Sequence, residues 1–360
     1  MVRYALLAFL LTGCFGDSRG LPLTQVQGAP EPKMQFLGVG GYLIHWRGEG
    51  LLIAPLFSHP SLLGFPPFTV EANKLEIDKR MPAAGDVTML LIGHGHYDHL
   101  LDVPWIMQKH APLAIAYGSR TVGHILRAEI PPCRIVDAES EMAKVQATGE
   151  AAKSGTWFYS AKRNFRAMPI QSMHAPHVAG ITLADGGYDR DLAELPSAVW
   201  NWKQGQVIAW LVDLLDDQRR PVYRIHYLDS ASSPPYGFPP VRLDGKRVDV
   251  QILAVSSWRR VDNYPVELLK TIRPRLVVLG HWENFIGADP GHAEPMPLQG
   301  VEEMVELTLK NVPPGTLVKM PLPLTDIPLP EMDVATVVEE ADELDQHHLA
   351  GPDVDCPAAL

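Results

Sequence analysis

The sequence predicts a mixed α/β domain in which layers of strands and helices pack on one another. Strand-like apolar runs dominate the first half of the body, whereas strands alternate with helical segments in the second half. No repeat of fixed period occurs, which argues against a solenoid or a propeller. The chain has 360 residues and is 46% hydrophobic, so it can bury a substantial core as one large domain or two smaller ones.

The first half reads as a hairpin followed by strand–helix units. Two apolar runs flank the turn segment RGEG at 47–50, which predicts the hairpin. The continuous apolar run VTMLLIG is typical of a buried strand, and Ser119 is a candidate helix cap. In this half we predict strands at 35–46, 51–57, 87–93, 113–118, 133–137 and 157–161, and helices at 100–109 and 120–126.

The second half alternates strands with two helical segments, and long loops interrupt the chain at 56–86 and 179–203. We predict strands at 206–214, 221–229, 248–256, 275–280 and 316–320, and helices at 266–272 and 298–309. Composition divides the whole chain into four parts. These are a signal peptide (1–13), a tether rich in Gly, Pro and Gln (14–33), a folded body (34–325) and an acidic, mobile tail (326–360).

The N-terminus reads as an export signal. Arg3 precedes an apolar run that ends at Leu11, which is too short to span a membrane. The stretch Leu11-Thr12-Gly13-Cys14 resembles a bacterial lipobox, and this implies cleavage before Cys14 and a lipid anchor on its sulfur. An ordinary signal peptide or a buried first strand would be the alternatives. We therefore expect a protein anchored in a bacterial cell envelope, on its periplasmic or extracellular face.

Charge and cysteine content exclude several kinds of partner and site. The formal net charge of −11 argues against a nucleic-acid partner, because phosphate binding requires a basic surface. Besides Cys14 the chain has only Cys133 and Cys356, which allow one bridge in an oxidising compartment but no disulfide framework. Their spacing is not that of a thiolate metal site, so any metal should be held by His and Asp.

The stretch VTMLLIGHGHYDHLLDV at 87–103 carries the chemistry. His94, His96, Asp98 and His99 fall within six residues, directly after the predicted buried strand. Neutral imidazole binds zinc and similar metals well, and carboxylate can join it. His94 and His96 can chelate one ion from an extended loop, while Asp98 and His99 can face a second. The alternative is a solvated loop, since a core rarely holds so many polar groups that each need a partner.

His-x-His-x-Asp-His after an apolar strand resembles the hallmark of the metallo-β-lactamase fold hydrolases. The glycine-containing segment GVGGYLI at 38–44 precedes the motif as it does in that family, and the resemblance covers roughly 34–325. It implies an αβ/βα four-layer sandwich, with two sheets face to face, helices outside and metals at one edge. The nearest branches are those similar to N-acyl-phosphatidylethanolamine phospholipase D and to ascorbate-6-phosphate lactonase.

The resemblance also implies a set of metal ligands. His174, Asp229 and His281 match, in order, the family's third histidine, bridging aspartate and last histidine. One metal would take His94, His96 and His174, the other Asp98, His99 and His281, and Asp229 would bridge them. The expected cofactors are two divalent ions, zinc above all, with manganese or iron as alternatives. A hydroxide shared by the metals would be the nucleophile, with Asp98 and Asp229 as the carboxylates of the catalytic site.

Two positions near this set need separate interpretation. His177 follows His174 by three residues and is a candidate for a role beside the metals or on the substrate side, with a ligand or a structural role as alternatives. Ala54-Pro55 stands where many relatives have Asp-Pro, and the missing carboxylate puts the support of the metal loop in doubt.

The resemblance implies a metal-dependent hydrolase acting on a phosphodiester, phosphoester or lactone rather than on a β-lactam. The substrate would be a small or lipid-like molecule, the latter because of the membrane tether. Two other classes compete: a catalytically idle binding lipoprotein that keeps the fold, and a non-hydrolytic di-iron redox protein. The redox relatives typically carry glutamate in place of the second histidine, which His96 does not match. A catalytically idle protein should have lost at least one of the metal ligands, whereas this sequence keeps all seven.

Overall fold

Two β-sheets pack face to face in the computed structural model, which describes residues 21–144, 152–177, 180–240 and 244–332. Helices cover the outer face of each sheet. The chain is therefore an αβ/βα four-layer sandwich, and the predicted fold class is confirmed. Within the described ranges no helix is both long and apolar enough to cross a membrane.

The first sheet has seven strands in the order β15-β2-β3-β4-β5-β6-β7. Antiparallel pairing joins β15, β2, β3 and β4, and parallel pairing continues from β4 to β7. Its strands are β2 Lys33–Gly38, β3 Gly41–Trp46, β4 Glu49–Ile53, β5 Val87–Leu91, β6 Ile115–Gly118, β7 Ile135–Asp137 and β15 Thr325–Pro328. Helices α1 Lys74–Arg80, α2 Tyr97–Leu100, α3 Val103–Lys109 and α4 Arg120–Leu126 belong to this half.

The second sheet has eight strands in the order β1-β14-β13-β12-β11-β10-β9-β8. The strands β11 to β14 are parallel, whereas β10 runs antiparallel to both β9 and β11. Its strands are β1 Leu23–Thr24, β8 Phe158–Tyr159, β9 Phe165–Ser172, β10 Val207–Leu215, β11 Pro221–Tyr227, β12 Val250–Ala254, β13 Leu276–Gly280 and β14 Leu317–Pro321. Its outer face carries α5 Val266–Ile272 and α6 Val301–Asn311.

Side-chain alternation along the strands builds three apolar layers. Met89 and Leu91 of β5 point between the sheets, where they meet residues such as Trp210 of β10. Leu90 points outward into the layer formed with α1 to α4. Because both faces of the central strands are covered, their sequences read as continuous apolar runs rather than as alternating ones.

The structure corrects several predicted boundaries. The loop-rich segment 56–86 contains α1, which Asn73 caps by accepting a hydrogen bond from the Glu76 N–H, and the single helix predicted at 100–109 is α2 followed by α3. Part of the predicted tether, Leu23–Thr24, pairs with β14. The body continues past residue 325, because Asp326 in β15 is buried and pairs with Lys33 at 2.8 Å. Residues 333–360 of the predicted tail lie outside the described residues.

The buried His226 in β11 makes stability depend on pH. Its Nδ1 lies 2.7 Å from Gln251 Oε1, and burial lowers its pKa from 6.5 to about 4. Between these values the unfolded chain binds a proton that the folded chain does not, so stability falls as pH falls. From pH ~7 to pH ~5, wild type should lose about 2 kcal/mol more unfolding free energy than His226→Gln, as measured by urea denaturation. Equal losses in the two proteins would contradict this prediction.

Candidate metal centre

The seven predicted ligands meet at one edge of the sandwich. Strands β9, β11 and β13 run in the same direction, so the residues that follow them emerge at the same end of the second sheet. His174 follows β9, Asp229 follows β11 and His281 follows β13. The first sheet contributes the loop after β5, which carries the four residues of the motif. The sheet topology thus brings together residues that are far apart in sequence.

The loop after β5 is held tightly against the second sheet. The Ile208 N–H donates to Gly93 C=O at 2.8 Å, and the Trp210 indole donates to Ile92 C=O at 3.2 Å. A Cβ at Gly93 would lie 2.1 Å from Asp229 Oδ2, which is closer than any side chain can approach. Glycine at this position is therefore what lets the aspartate reach the loop.

His94, His96 and His174 form the first group. Their ligand atoms lie within 4.8 Å of one another, and His94 Nε2 is 3.1 Å from His96 Nδ1. Two nitrogens bound at about 2.0–2.1 Å to one tetrahedral ion would be roughly 3.3 Å apart, which is close to this separation. His174 donates from Nδ1 to Ala175 C=O at 2.6 Å, so its Nε2 is left with the free lone pair.

Asp98, His99 and His281 form the second group, again with ligand atoms within 4.8 Å of one another. Asp98 Oδ2 is 3.3 Å from His99 Nε2 and 3.2 Å from His281 Nε2. His281 adopts a left-handed backbone conformation with φ 54°, and its N–H donates to Val39 C=O at 2.8 Å. The glycine-rich segment after β2 thereby fixes the last histidine.

Asp229 lies between the two groups. Its Oδ2 is 2.5 Å from His94 Nδ1, and its Oδ1 is 3.0 Å from His99 Nδ1. The Tyr227 hydroxyl also hydrogen-bonds Oδ1. Gly40 packs over this contact, since a Cβ there would come within 2.8 Å of His99 Nδ1. The carboxylate is thus placed where it contacts one histidine of each group.

Electrostatics divide the cluster into neutral and charged members. Burial, together with neighbouring imidazoles, holds the pKa values of His96 and His174 well below their usual range, so both are neutral near pH 7. Neutral imidazole is the form that binds a metal. Burial opposes charge on His99 as well, but the carboxylates of Asp229 and Asp98 outweigh it and raise its pKa to about 10. The same two carboxylates would favour a metal cation.

The residues present fit a divalent metal. Within the described part of the chain, His99 Nε2, the nitrogen that faces Asp98 in the second group, is buried without a hydrogen-bond partner. A buried nitrogen left unpaired costs about 1–3 kcal/mol, so this atom calls for a further binding partner. The donor set of imidazole and carboxylate suits zinc, manganese or iron.

Two carboxylates that the sequence interpretation did not single out support the site. Asp102 is buried and accepts hydrogen bonds from the N–H groups of Phe57 and Ser58, at 2.6 and 3.0 Å. It therefore ties the loop after β4 to the motif segment, and the doubt raised by Ala54 is answered by a carboxylate from elsewhere in the sequence. Burial raises the pKa of Asp102 to about 6.

Glu283 is the second supporting carboxylate. It is buried two residues after His281, accepts a hydrogen bond from the Val39 N–H, and accepts another from the Trp282 N–H at 3.2 Å. Together with the bond from His281 to Val39, these contacts clamp the glycine-rich segment onto the loop after β13. Tyr227 could have been found from the alternation of β11, since it lies two residues before Asp229 on the same side of the chain. No comparable pattern in the sequence marked Glu283 or Asp102 as residues that support the site.

His177 lies beside the first group. Its ring stacks on His174 with centroids 4.6 Å apart, and the Leu183 N–H donates to its Nδ1 at 3.0 Å. It belongs to none of the three sets of described residues that could hold an ion. The structure therefore places His177 where it can contact a molecule bound at the first group.

The fold and the cluster together define a class: an αβ/βα sandwich with a candidate His/Asp metal centre at one edge. No protein-family model matches the sequence, and a comparison with curated proteins gives no match. Similar solved structures carry names of metallo-β-lactamase fold proteins and metal-dependent enzymes. One is the metallo-β-lactamase fold protein YhfI from Bacillus subtilis, with 13% identity over 82% of this chain and 98% of that chain and a TM-score of 0.45.

Two further similar structures have different printed activities. The isothiocyanate hydrolase from Delia radicum gut bacteria has 12% identity over 82% of this chain and 98% of that chain, with a TM-score of 0.46. CmlA, a diiron β-hydroxylase from Streptomyces venezuelae, has 12% identity over 82% of this chain and 54% of that chain, with a TM-score of 0.44. This chain thus spans about half the length of CmlA.

Proposed function

We propose that this protein is a binuclear metal-dependent hydrolase of the metallo-β-lactamase type. One observation carries the proposal: seven residues chosen from a motif and its sequence order converge on one buried cluster, in two groups of three with an aspartate between them. His94, His96 and His174 would hold one ion, and Asp98, His99 and His281 the other. Asp229 would contact both.

When bound, the ions would polarise the scissile group and lower the pKa of water. The chain's own residues would bind the ions and orient the ligand side chains. Asp229 and Tyr227 fix the rings of His94 and His99, and Asp102 and Glu283 hold the surrounding loops in place. Preorganised ligands of this kind avoid the cost of rearrangement during the reaction.

The substrate class we propose is a phosphodiester, a phosphoester or a lactone, in a small or lipid-like molecule. Support comes from the resemblance of the intact His-x-His-x-Asp-His motif to hydrolases with such substrates. His177 lies 4.6 Å from His174, ring to ring, and we propose that it contacts the substrate. A half-buried imidazole beside the metals can donate to or accept from a leaving group.

Metal analysis and a substrate panel test the proposal. An undialysed preparation of the full chain should contain about two equivalents of a divalent metal. It should hydrolyse at least one chromogenic phosphodiester, phosphoester or lactone faster than a β-lactam, lose activity with a chelator, and regain it with zinc or manganese. Less than one equivalent in an active sample would overturn the binuclear centre. A fully loaded protein that turns over nothing on the panel would favour the idle binding lipoprotein, and iron with oxidant consumption would favour the redox protein.

We propose further that the protein is anchored in a bacterial envelope by a lipid on Cys14. The stretch Leu11-Thr12-Gly13-Cys14 supports this. Cys133 is disulfide-bonded, and disulfides persist mainly in oxidising compartments outside the cytosol. A substrate in or near the envelope would then be within reach of the site.

A further inference from the structure

An apolar, charge-free loop projects beside the metal centre. Residues 60–70, PSLLGFPPFTV, contain no charged side chain in a chain whose net charge is −11. Leu63 is 84% exposed and Phe65 is fully exposed. Single exposed apolar residues are common, but two large ones at the tip of one uncharged loop are not explained by packing.

The loop is closed by its own hydrogen bonds. The Phe68 N–H donates to Leu62 C=O at 3.0 Å, and the Thr69 hydroxyl donates to Pro66 C=O at 2.8 Å. Leu62 is partly buried against the layer formed with α1 to α4. The base of the loop is therefore anchored, and its tip from Leu63 onward is presented outward.

This loop lies next to two others that border the metal centre. The Gly287 N–H donates to Pro60 C=O at 3.1 Å, which joins the loop to the segment after His281. On its other side, Phe68 packs against Trp200 with ring centroids 5.5 Å apart. Most of the large apolar side chains exposed in the described part lie on these three loops. They are Leu63, Phe65, Phe68, Met173, Ile181, Leu183, Trp200, Ile286 and Leu298.

We propose that this apolar rim, with loop 60–70 at its front, docks onto the surface of a lipid bilayer. The attachment of the N-terminus favours a bilayer over other occupants. Leu23 pairs with Met320, near the end of β14 that faces the metal edge. The chain between Cys14 and Leu21 reaches at most roughly 25 Å when fully extended, so an anchor on Cys14 would keep the domain, and this rim with it, near a bilayer.

The chemistry of loop 60–70, at the front of the rim, specifies the kind of surface. Without cationic side chains the loop has no means to select anionic headgroups, so docking depends on burying apolar side chains in the interface. Docking in this orientation turns the metal centre toward the lipid. The inference goes beyond the proposed hydrolysis. The docking proposal uses the proposed lipid anchor only as a reason to prefer a bilayer as the docked surface. Its test is made without the anchor, so that docking and anchoring can fail separately.

The experiment uses the full chain with Cys14→Ser and vesicles of zwitterionic phosphatidylcholine. This protein should partition onto the vesicles, and Leu63→Ser with Phe65→Ser should weaken partitioning roughly tenfold or more because two apolar side chains no longer enter the interface. The matched control is Leu113→Ser with Leu317→Ser. These are exposed leucines just before β6 and at the start of β14, at the opposite edge, and partitioning should change less than about twofold. Raising salt from about 0.05 to about 0.5 M should have little effect.

Four outcomes would overturn the proposal. The first is that the Cys14→Ser protein with the native loop stays in solution, and the second is that the control pair loses as much partitioning as the loop pair. If the loop pair lowered turnover of a water-soluble substrate, the rim would belong to the substrate site. If it instead abolished self-association seen by sedimentation velocity, with vesicle partitioning unchanged, the occupant would be a second copy of the chain.

Discussion

His96→Ala should reduce turnover by roughly 10³-fold or more, since a metal ion contributes several kcal/mol of transition-state stabilisation. His96 is 5% exposed and lies 3.1 Å from His94 through their facing nitrogens. Removing its imidazole takes one of the three donors from the first group. The variant should therefore also contain less metal than wild type, as measured by elemental analysis of undialysed protein.

A matched control separates loss of a ligand from loss of any histidine. His45 lies on β3 and pairs with Asp86 at 3.1 Å, outside the three candidate metal groups of the described chain. His45→Ala should keep both metal content and turnover within about twofold of wild type, as surface changes usually do. If His96→Ala retained wild-type turnover, the assignment of the first group would be wrong.

Asp229→Asn should fold normally, lose at least one metal, and reduce turnover by roughly two or more orders of magnitude. The substitution keeps the size of the side chain but removes its negative charge. In the structure this carboxylate contacts His94 and His99 and accepts from Tyr227. Without the charge, the two imidazoles lose the group that orients them and the cations lose a shared anionic neighbour.

The competing role for Asp229 is that of a turn cap after β11. If Asp229→Asn kept all the metal and near-normal turnover but had a lower melting temperature, the capping role would be established. A different residue would then have to bridge the two metals. Asp326→Asn provides the control: Asp326 is also a buried aspartate, but it lies in β15 and pairs with Lys33 of β2. This change should lower stability without altering metal content, so that loss of a buried charge alone does not mimic the result at Asp229.

Much of the site could be predicted from the sequence because four of its seven candidate ligands are close together in the chain. His94, His96, Asp98 and His99 lie on one loop and the first turn of one helix, so their spacing alone predicts a chelating cluster. The buried strand before them is equally readable, since a strand covered on both faces has to be apolar along its whole length. The remaining ligands required a family resemblance in addition, because each is a single residue after a strand.

Only the tertiary structure determined how the site is supported and what surrounds it. Asp102 binds the loop at Phe57, and Glu283 binds Val39, which is 244 positions away in the sequence. Nothing local in the sequence marks such pairs, because they depend on which loops the two packed sheets bring to the same edge. The apolar rim has the same origin. Loop 60–70 is recognisably apolar in the sequence, but whether such a loop enters the core or faces solvent is decided by the packing of the elements around it.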